Sequence, residues 1–125
     1  MKSLMKNAIS RSNADFLEIR IEDTKKVGVS FSGKDLKKAQ STRDFGGYVR
    51  ALIDGSWGFI SFNDPERLPE FVKAAEDRAR AAGTGDIRLA SVAPVEDVIT
   101  LDIDPEDDPR SVNLEEKVTV FGRFA

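Results

Sequence analysis

The stretch FGGYVRALIDGSWGFISFND, from Phe45 to Asp64, carries the strongest structural signals of the chain. It contains two runs rich in β-branched and aromatic residues, Tyr48 to Ile53 and Trp57 to Phe62, with Asp54-Gly55 between them. Because Asp-Gly tolerates positive φ angles, this spacing predicts a β-hairpin with a two-residue type I′ turn. Apolar groups fall on both faces of the two runs, which is typical of strands in the middle of a covered sheet.

A helix start follows the hairpin directly. The sequence Asn63-Asp64-Pro65-Glu66 offers a capping side chain, a proline at the first helical position and an acid in the first turn. Apolar residues then trace one face from about Pro65 to Ala82, and Gly83 ends the element. Pro69 lacks an amide hydrogen, so we expect an irregular first turn. This helix is predicted to cover the sheet.

Period-two alternation on the N-terminal side of the hairpin predicts further strands. We expect strands over Phe16–Glu22 and Val27–Phe31 with a connecting turn at Asp23–Lys26. A further turn is expected at Ser32–Asp35, followed by a third, exposed strand over Leu36–Arg43. Gly46-Gly47 suggests a bulge or a close backbone approach. The predicted fold class is therefore α+β, with an antiparallel, hairpin-connected sheet under one main helix and short helices near both ends of the chain.

The C-terminal third is predicted to be less regular. A short strand is expected over Ile87–Val92, and residues 94–110 form an acidic arm or linker whose apolar run, Val98–Ile103, is an extended segment or an edge strand. Asn113 and Glu116 have the spacing of a capping box, and residues 113–125 are expected to be the start of a truncated helix. We expect one domain over residues 1–125, either a fragment of a longer protein or a small free-standing one.

Composition limits the chemistry that this chain can perform. Nineteen basic and twenty-two acidic residues give a net charge of −3, which argues against nucleic acid as a partner. The chain has no cysteine and no apolar run long enough for a signal peptide or a membrane span, so we expect a cytoplasmic protein without membrane contact. It also has no histidine, which excludes imidazole ligands and imidazole bases.

The ordered set of motifs resembles the N-terminal domain of the TldD/PmbA family, once described as DNA gyrase modulators and similar to metallopeptidases. The resemblance rests on LEIRIED from Leu17, on VGVSFSGKDLKKAQSTRDFGGYVR from Val27, on the DGSWGF hairpin and on NLEEKV from Asn113. It covers most of the chain. The sequence of the hairpin and of PVEDV from Pro94 resembles the TldD subgroup more closely than the PmbA subgroup.

The resemblance implies a role without catalysis for this part of the protein. Zinc is implied for a C-terminal domain whose helical motif carries two histidines, and nothing in this chain matches that motif. We therefore expect neither a catalytic residue nor a metal or cofactor site here, and the full-length relatives resemble zinc metallopeptidases. The implied partners are the C-terminal domain of the same protein, a paired family subunit and a peptide substrate.

Three residues of the hairpin are candidates for a peptide or interface contact: Arg50, Trp57 and Phe59. Arg50 stands among apolar neighbours, so it must reach solvent, find an acid, or hold a peptide carboxylate through its planar guanidinium group. Trp57 and Phe59 are read first as core residues, with a binding surface as the alternative. Exposed strand positions also allow an extended peptide to add to the sheet edge.

The acidic residues from Asp102 to Asp108 superficially follow the spacing of a calcium loop, but a proline falls inside the loop and no glutamate closes it. We expect a solvated linker there. The predicted function is a non-catalytic N-terminal domain of a TldD/PmbA-like metallopeptidase involved in peptide maturation and proteolysis, acting in scaffolding, subunit contact or substrate guidance. The alternative is an independent protein-binding regulatory module of the gyrase-modulator type.

Overall fold

The computed structural model describes residues 1–125 and confirms the α+β class. Three helices and a short 3₁₀ turn accompany one sheet of three strands in the order β1-β2-β3. In chain order the elements are α1 (Lys2–Ser10), β1 (Phe16–Ser32), β2 (Asp35–Ile53), β3 (Ser56–Phe62), the 3₁₀ turn (Pro65–Arg67), α2 (Leu68–Ala81) and α3 (Leu114–Gly122).

The predicted hairpin is confirmed in detail. β2 and β3 pair antiparallel, with Ile53 opposite Ser56 and Val49 opposite Ile60. Asp54 and Gly55 both have positive φ angles, 49° and 74°, as a type I′ turn requires. A Cβ at Gly55 would collide with the backbone of the segment that follows α2, so glycine is needed there for space as well as for conformation.

The strand boundaries on the N-terminal side differ from the prediction. No turn forms at Asp23–Lys26, because β1 runs unbroken for 17 residues and β2 for 19. The turn predicted at Ser32–Asp35 is present, with a φ of +59° at Gly33. Residues 23–26 include neither glycine nor proline, the residues that favour a turn. The predicted strands on both sides of this segment pair with the same neighbouring strand, β2. β2 is therefore central, whereas β3 lies at an edge of the sheet, contrary to the expectation that both were middle strands.

Helix α2 packs on one face of the sheet and forms the core with it. Val49 and Ala51 of β2 are fully buried against Leu68 and Ala75 of the helix, and Phe62 stacks on Phe71 with ring centroids 5.1 Å apart. The irregular start that Pro69 predicts is confirmed, since the first turn is 3₁₀ and Asp64 caps it by accepting a hydrogen bond from the amide of Glu66.

Two glycines allow the backbones in this core to approach closely. A Cβ on Gly58 of β3 would collide with the carbonyl oxygen of Ala75 and would lie 2.5 Å from the amide nitrogen of Ala79. A Cβ on Gly47 would collide with the backbone of β1 and would lie 2.8 Å from the ring of Phe62. The close approach predicted for Gly46-Gly47 is thus present at Gly47.

The segment that follows α1 is tied to α2 through a buried carboxylate. Glu76 of α2 is only 7% exposed and accepts hydrogen bonds from the hydroxyl of Ser12, at 2.5 Å, and from the amide of Asn13, at 3.2 Å. Ala8 of α1 belongs to the same core as Val72 of α2. These contacts satisfy a carboxylate that would otherwise be costly to bury.

The chain divides into two compact units, Met1–Thr24 with Asp44–Ser91, and Lys25–Arg43 with Val92–Ala125. The first unit holds the hairpin, α1 and α2. In the second, the capping box of Asn113 and Glu116 is confirmed at the start of α3. The strand predicted at Ile87–Val92 does not form, and Val98–Ile103 has no regular secondary structure and does not belong to the sheet. No helix is long and apolar enough to cross a membrane.

Candidate interaction face

The sheet face turned away from α2 carries the candidate residues of the first unit. Because side chains alternate along a strand, Val49 and Ala51 point to the helix, and Tyr48 and Arg50 point to the other face. The register of the hairpin places Phe59 directly opposite Arg50. We call the set Phe16, Glu18, Tyr48, Arg50, Trp57 and Phe59 the aromatic face.

Arg50, Trp57 and Phe59 are brought together on this face. The guanidinium carbon of Arg50 lies 4.5 Å from the centroid of the Trp57 ring, a cation–π arrangement. Phe16 meets the edge of Trp57 at 6.0 Å, and Tyr48 lies 5.3 Å from Phe59. The interpretation of Trp57 and Phe59 as core residues is not what the structure shows, since Trp57 is half-buried and Phe59 is 49% exposed.

The charge of Arg50 is balanced by an acid on the neighbouring strand. Nη2 of Arg50 lies 2.5 Å from Oε2 of Glu18, and the hydroxyl of Tyr48 donates a hydrogen bond to Oε1 of Glu18 at 2.8 Å. Nε of Arg50 is buried and has no hydrogen-bond acceptor. Of the three possibilities for Arg50, namely solvent, an acid or a peptide carboxylate, the structure shows the second, because an acid is its partner.

The sequence pattern does not single out three further residues of the face, Glu18, Tyr48 and Phe16, as site residues. The signal that could have found them is the same alternation that predicts the strands, because Tyr48 is two residues from Arg50 and Phe16 is two from Glu18. What alternation does not give is the register between β1 and β2, which decides that the Glu18 carboxylate meets Arg50 rather than another residue.

A shallow hollow lies beside the aromatic face. It has a volume of about 480 Å³ and is lined by Arg20, Glu22, the segment 44–47 and Tyr48. Arg20 pairs with Glu22 at 2.7 Å, and the charge and hydrogen bond of that carboxylate raise the pKa of Arg20 above its usual range. Arg20 and Glu22, two of the three charged residues that line the hollow, are thus paired with each other, and both side chains are largely exposed.

The free edge of β3 is partly closed. Nη1 of Arg78, on α2, donates a hydrogen bond to the carbonyl oxygen of Phe59 at 2.9 Å. In a two-residue hairpin with this register, the backbone N–H and C=O of Phe59 face away from the partner strand β2. Without the hydrogen bond from Arg78, this carbonyl oxygen would be free to pair with an added strand. An incoming peptide would have to displace Arg78 at this position.

No group of three or more histidine, cysteine, aspartate or glutamate side chains is placed to hold a metal ion. Asp108, in the acidic segment, is held by Arg110, whose guanidinium lies 2.7 Å away and donates hydrogen bonds that lower the pKa of Asp108. Asp104 accepts from the amide of Glu106 in a local turn.

Comparison with known proteins identifies the family. The family model described as PmbA/TldA metallopeptidase domain 1 matches residues 17–82, a range that contains the whole aromatic face except Phe16. A metalloprotease of the cyanobacterium Synechocystis, Metalloprotease slr0863, is 32% identical over 114 residues, which is 91% of this chain and 24% of that protein.

The fold has a counterpart among solved structures. The crystal structure of TldE from Thermococcus kodakarensis superposes with a TM-score of 0.66 at 17% identity, over 95% of this chain and 27% of that one. The chain thus spans about a quarter of the length of each of these relatives. With a family model that matches more than half of its residues, this chain belongs to the PmbA/TldD family of metallopeptidase-like proteins, in which it corresponds to the first domain.

Proposed function

We propose that this chain is the non-catalytic N-terminal domain of a PmbA/TldD-type metallopeptidase and that it acts through the aromatic face as a contact for another domain or subunit of that enzyme. The observation that carries the proposal is the surface cluster of Arg50, Trp57 and Phe59. Tryptophan, tyrosine and arginine are the residue types that dominate binding energy at protein interfaces.

The electrostatics of the face favour a protein surface over a charged ligand. Glu18 and Arg50 neutralise each other at 2.5 Å, so the face presents aromatic rings around an ion pair that already has its partner. Phe59 and Phe16 are 49% and 38% exposed, respectively. Covering such rings removes apolar area from water, at about 25 cal/mol per Å².

A peptide contact at the same face is a second role within this proposal, and it would serve substrate guidance. The buried Nε of Arg50 lacks an acceptor, and a backbone carbonyl of a bound chain would satisfy it after a small rearrangement. Zinc, if it is used, would be held by residues outside this chain, because none of the side chains present form a set of ligands.

The proposal is tested in a polypeptide that carries this chain followed by a family C-terminal domain. Peptide hydrolysis is measured with and without added zinc, for the long polypeptide and for this chain alone. We expect activity in the long polypeptide only, with a dependence on zinc. Hydrolysis by the short chain without zinc would overturn the proposal, and no hydrolysis by either would favour the regulatory-module alternative.

The aromatic face is tested separately with Phe59→Ser, and Phe124→Ser serves as the matched control. Both rings are exposed, Phe124 by 85%, but Phe124 lies outside the aromatic face. We expect Phe59→Ser to reduce activity or subunit association of the long polypeptide at least about tenfold, the effect of losing one interface anchor. Equal behaviour of the two variants would contradict the assignment of the face.

A further inference from the structure

The second compact unit contains an open groove between α3 and the ribbon that β1 and β2 form over residues 25–43. It has a volume of about 790 Å³, within the range of roughly 300–1,000 Å³ that is typical of ligand sites. One wall includes Lys25, Val27 and Val29 of β1, and the other includes Leu114 and Phe121 of α3. All the residues that line the groove lie in this unit, whereas the aromatic face belongs to the first unit.

The walls of the groove expose apolar side chains. Val27 of β1 is 47% exposed and Phe121 of α3 is 55% exposed. The end of α3 lies against the ribbon beside them, since a Cβ on Gly122 would be 3.5 Å from the ring of Phe31. An apolar group that enters between the walls removes this surface from water, which favours its binding.

The charged groups of the groove favour an anion. Its lining includes no acid and three cations, Lys25, Arg110 and Lys117. Arg110 is neutralised by Asp108 at 2.7 Å, so its charge is not available to a ligand. Lys25 has no ion-pair or hydrogen-bond partner in the chain, and Lys117 donates only to a neutral group, the carbonyl oxygen of Pro109. Two lysine charges are therefore complementary to a negatively charged ligand.

One wall of the groove belongs to an edge strand. β1 stands at the end of the order β1-β2-β3, so one side of it has no partner strand, and no backbone hydrogen bond from a turn or loop reaches residues 25–31. Gly28 of this strand lines the groove, and a Cβ there would meet nothing within 4 Å. The edge of β3 is partly closed by Arg78, whereas the edge of β1 is open to an extended chain.

We infer that this groove binds the C-terminal end of a peptide, which adds to the free edge of β1 as a short strand. The terminal carboxylate of the peptide meets Lys25 and Lys117, and its last side chain, an apolar one, packs between Val27 and Phe121. A peptide fits better than an aliphatic acid because only a peptide has amide and carbonyl groups that can pair with those of β1. The proposed function does not use this site, so the two can fail separately.

The test is the fluorescence anisotropy of a dye-labelled pentapeptide that ends in phenylalanine with a free carboxylate, titrated with this chain. The same peptide with a C-terminal amide lacks the negative charge and is expected to bind at least about tenfold more weakly, because it loses charge-assisted contacts. A third peptide is methylated at alternate backbone nitrogens, which removes the donors for strand pairing. It is also expected to bind at least about tenfold more weakly.

Variants of the chain locate the binding site. Lys25→Gln removes an available charge without breaking a contact, and it is expected to weaken binding of the free-acid peptide about threefold or more and to leave binding of the amide unchanged. Lys34→Gln is the matched control, because Lys34 lies in the same ribbon but does not line the groove. Val27→Asp places a carboxylate in the groove and is expected to abolish binding, with an unchanged unfolding midpoint.

Several outcomes would overturn the inference. They are no binding of the free-acid peptide, equal binding of the free acid and the amide, undiminished binding of the methylated peptide, and equal behaviour of Lys25→Gln and Lys34→Gln. Tighter binding of octanoate, measured by displacement of the peptide, would assign the groove to an aliphatic acid instead. Peptide binding that is lost in Phe59→Ser but kept in Lys25→Gln would place the peptide on the aromatic face, which overturns this inference and supports the proposed function.

Discussion

Replacing Gly58 by alanine tests the closest contact in the core. The added methyl group would collide with the carbonyl oxygen of Ala75 and lie 2.5 Å from the amide nitrogen of Ala79, whereas ordinary contact with a Cβ begins at 3.4 Å. Both atoms belong to the rigid backbone of α2, so no side chain can move aside. The helix must withdraw from the sheet by about 1 Å or more.

That withdrawal affects the whole interface between α2 and the sheet. Overpacking by one methyl group usually costs about 1–3 kcal/mol, and here the fully buried Leu68, Ala75 and Ala79 also lose contacts. We expect Gly58→Ala to lower the free energy of unfolding by at least about 3 kcal/mol. This is a large part of the stability of a domain of this size.

The assay is urea unfolding followed by the fluorescence of Trp57, the only tryptophan of the chain, which neighbours Gly58 on β3. Gly28→Ala is the matched control, because nothing lies within 4 Å of the added Cβ and Gly28 has no positive φ. It should be neutral or stabilise by about 0.4–1 kcal/mol. A loss below about 0.5 kcal/mol for Gly58→Ala, at an unchanged slope, would refute the reasoning.

Three further changes test the remaining contacts. Glu76→Ala removes the acceptor of Ser12 and should cost about 1.5–3 kcal/mol in urea unfolding; an unchanged midpoint would contradict the tie between α2 and the segment that follows α1. Asn113→Ala removes the capping box and should cost about 1 kcal/mol of helix stability, seen as faster amide exchange in α3; unchanged exchange would argue against the cap. Arg67 lowers the pKa of Glu70 through hydrogen bonds at 2.7–3.3 Å. This pair therefore stabilises the fold at pH values above the unfolded pKa of Glu70. Its contribution is lost as the pH falls through the lower pKa of the folded state. Arg67→Ala should raise the pKa of Glu70 toward its ordinary range in an NMR titration, and no change would contradict the pairing.

Much of the fold could be predicted because its signals are local. The Asp54-Gly55 turn depends on φ angles that these residues tolerate, and the Asn113 capping box joins groups three residues apart. The start of α2 likewise depends on the side chain of Asp64 and on the missing amide hydrogens of Pro65 and Pro69. Each signal is complete within a few residues of the chain.

The predicted strands that do not form show the limit of such local signals. Val98–Ile103 was predicted as an extended segment or an edge strand, yet it forms no strand of the sheet. A strand exists only when its amides and carbonyls pair with another strand, and the alternation of one segment does not say whether a partner edge is free. The same limit explains Asp23–Lys26, where continuous pairing with β2 replaced the expected turn.

The candidate site was half predicted for a similar reason. The neighbours of Arg50 in the chain already require an acid, solvent or a ligand for it, since a guanidinium group between apolar neighbours is costly without one. That the acid is Glu18, and that Phe59 lies exposed opposite Arg50, follows from the folded arrangement of the strands. Local conformation is fixed by groups a few residues apart, whereas register and exposure depend on strands that are distant in the chain and meet only in the folded sheet.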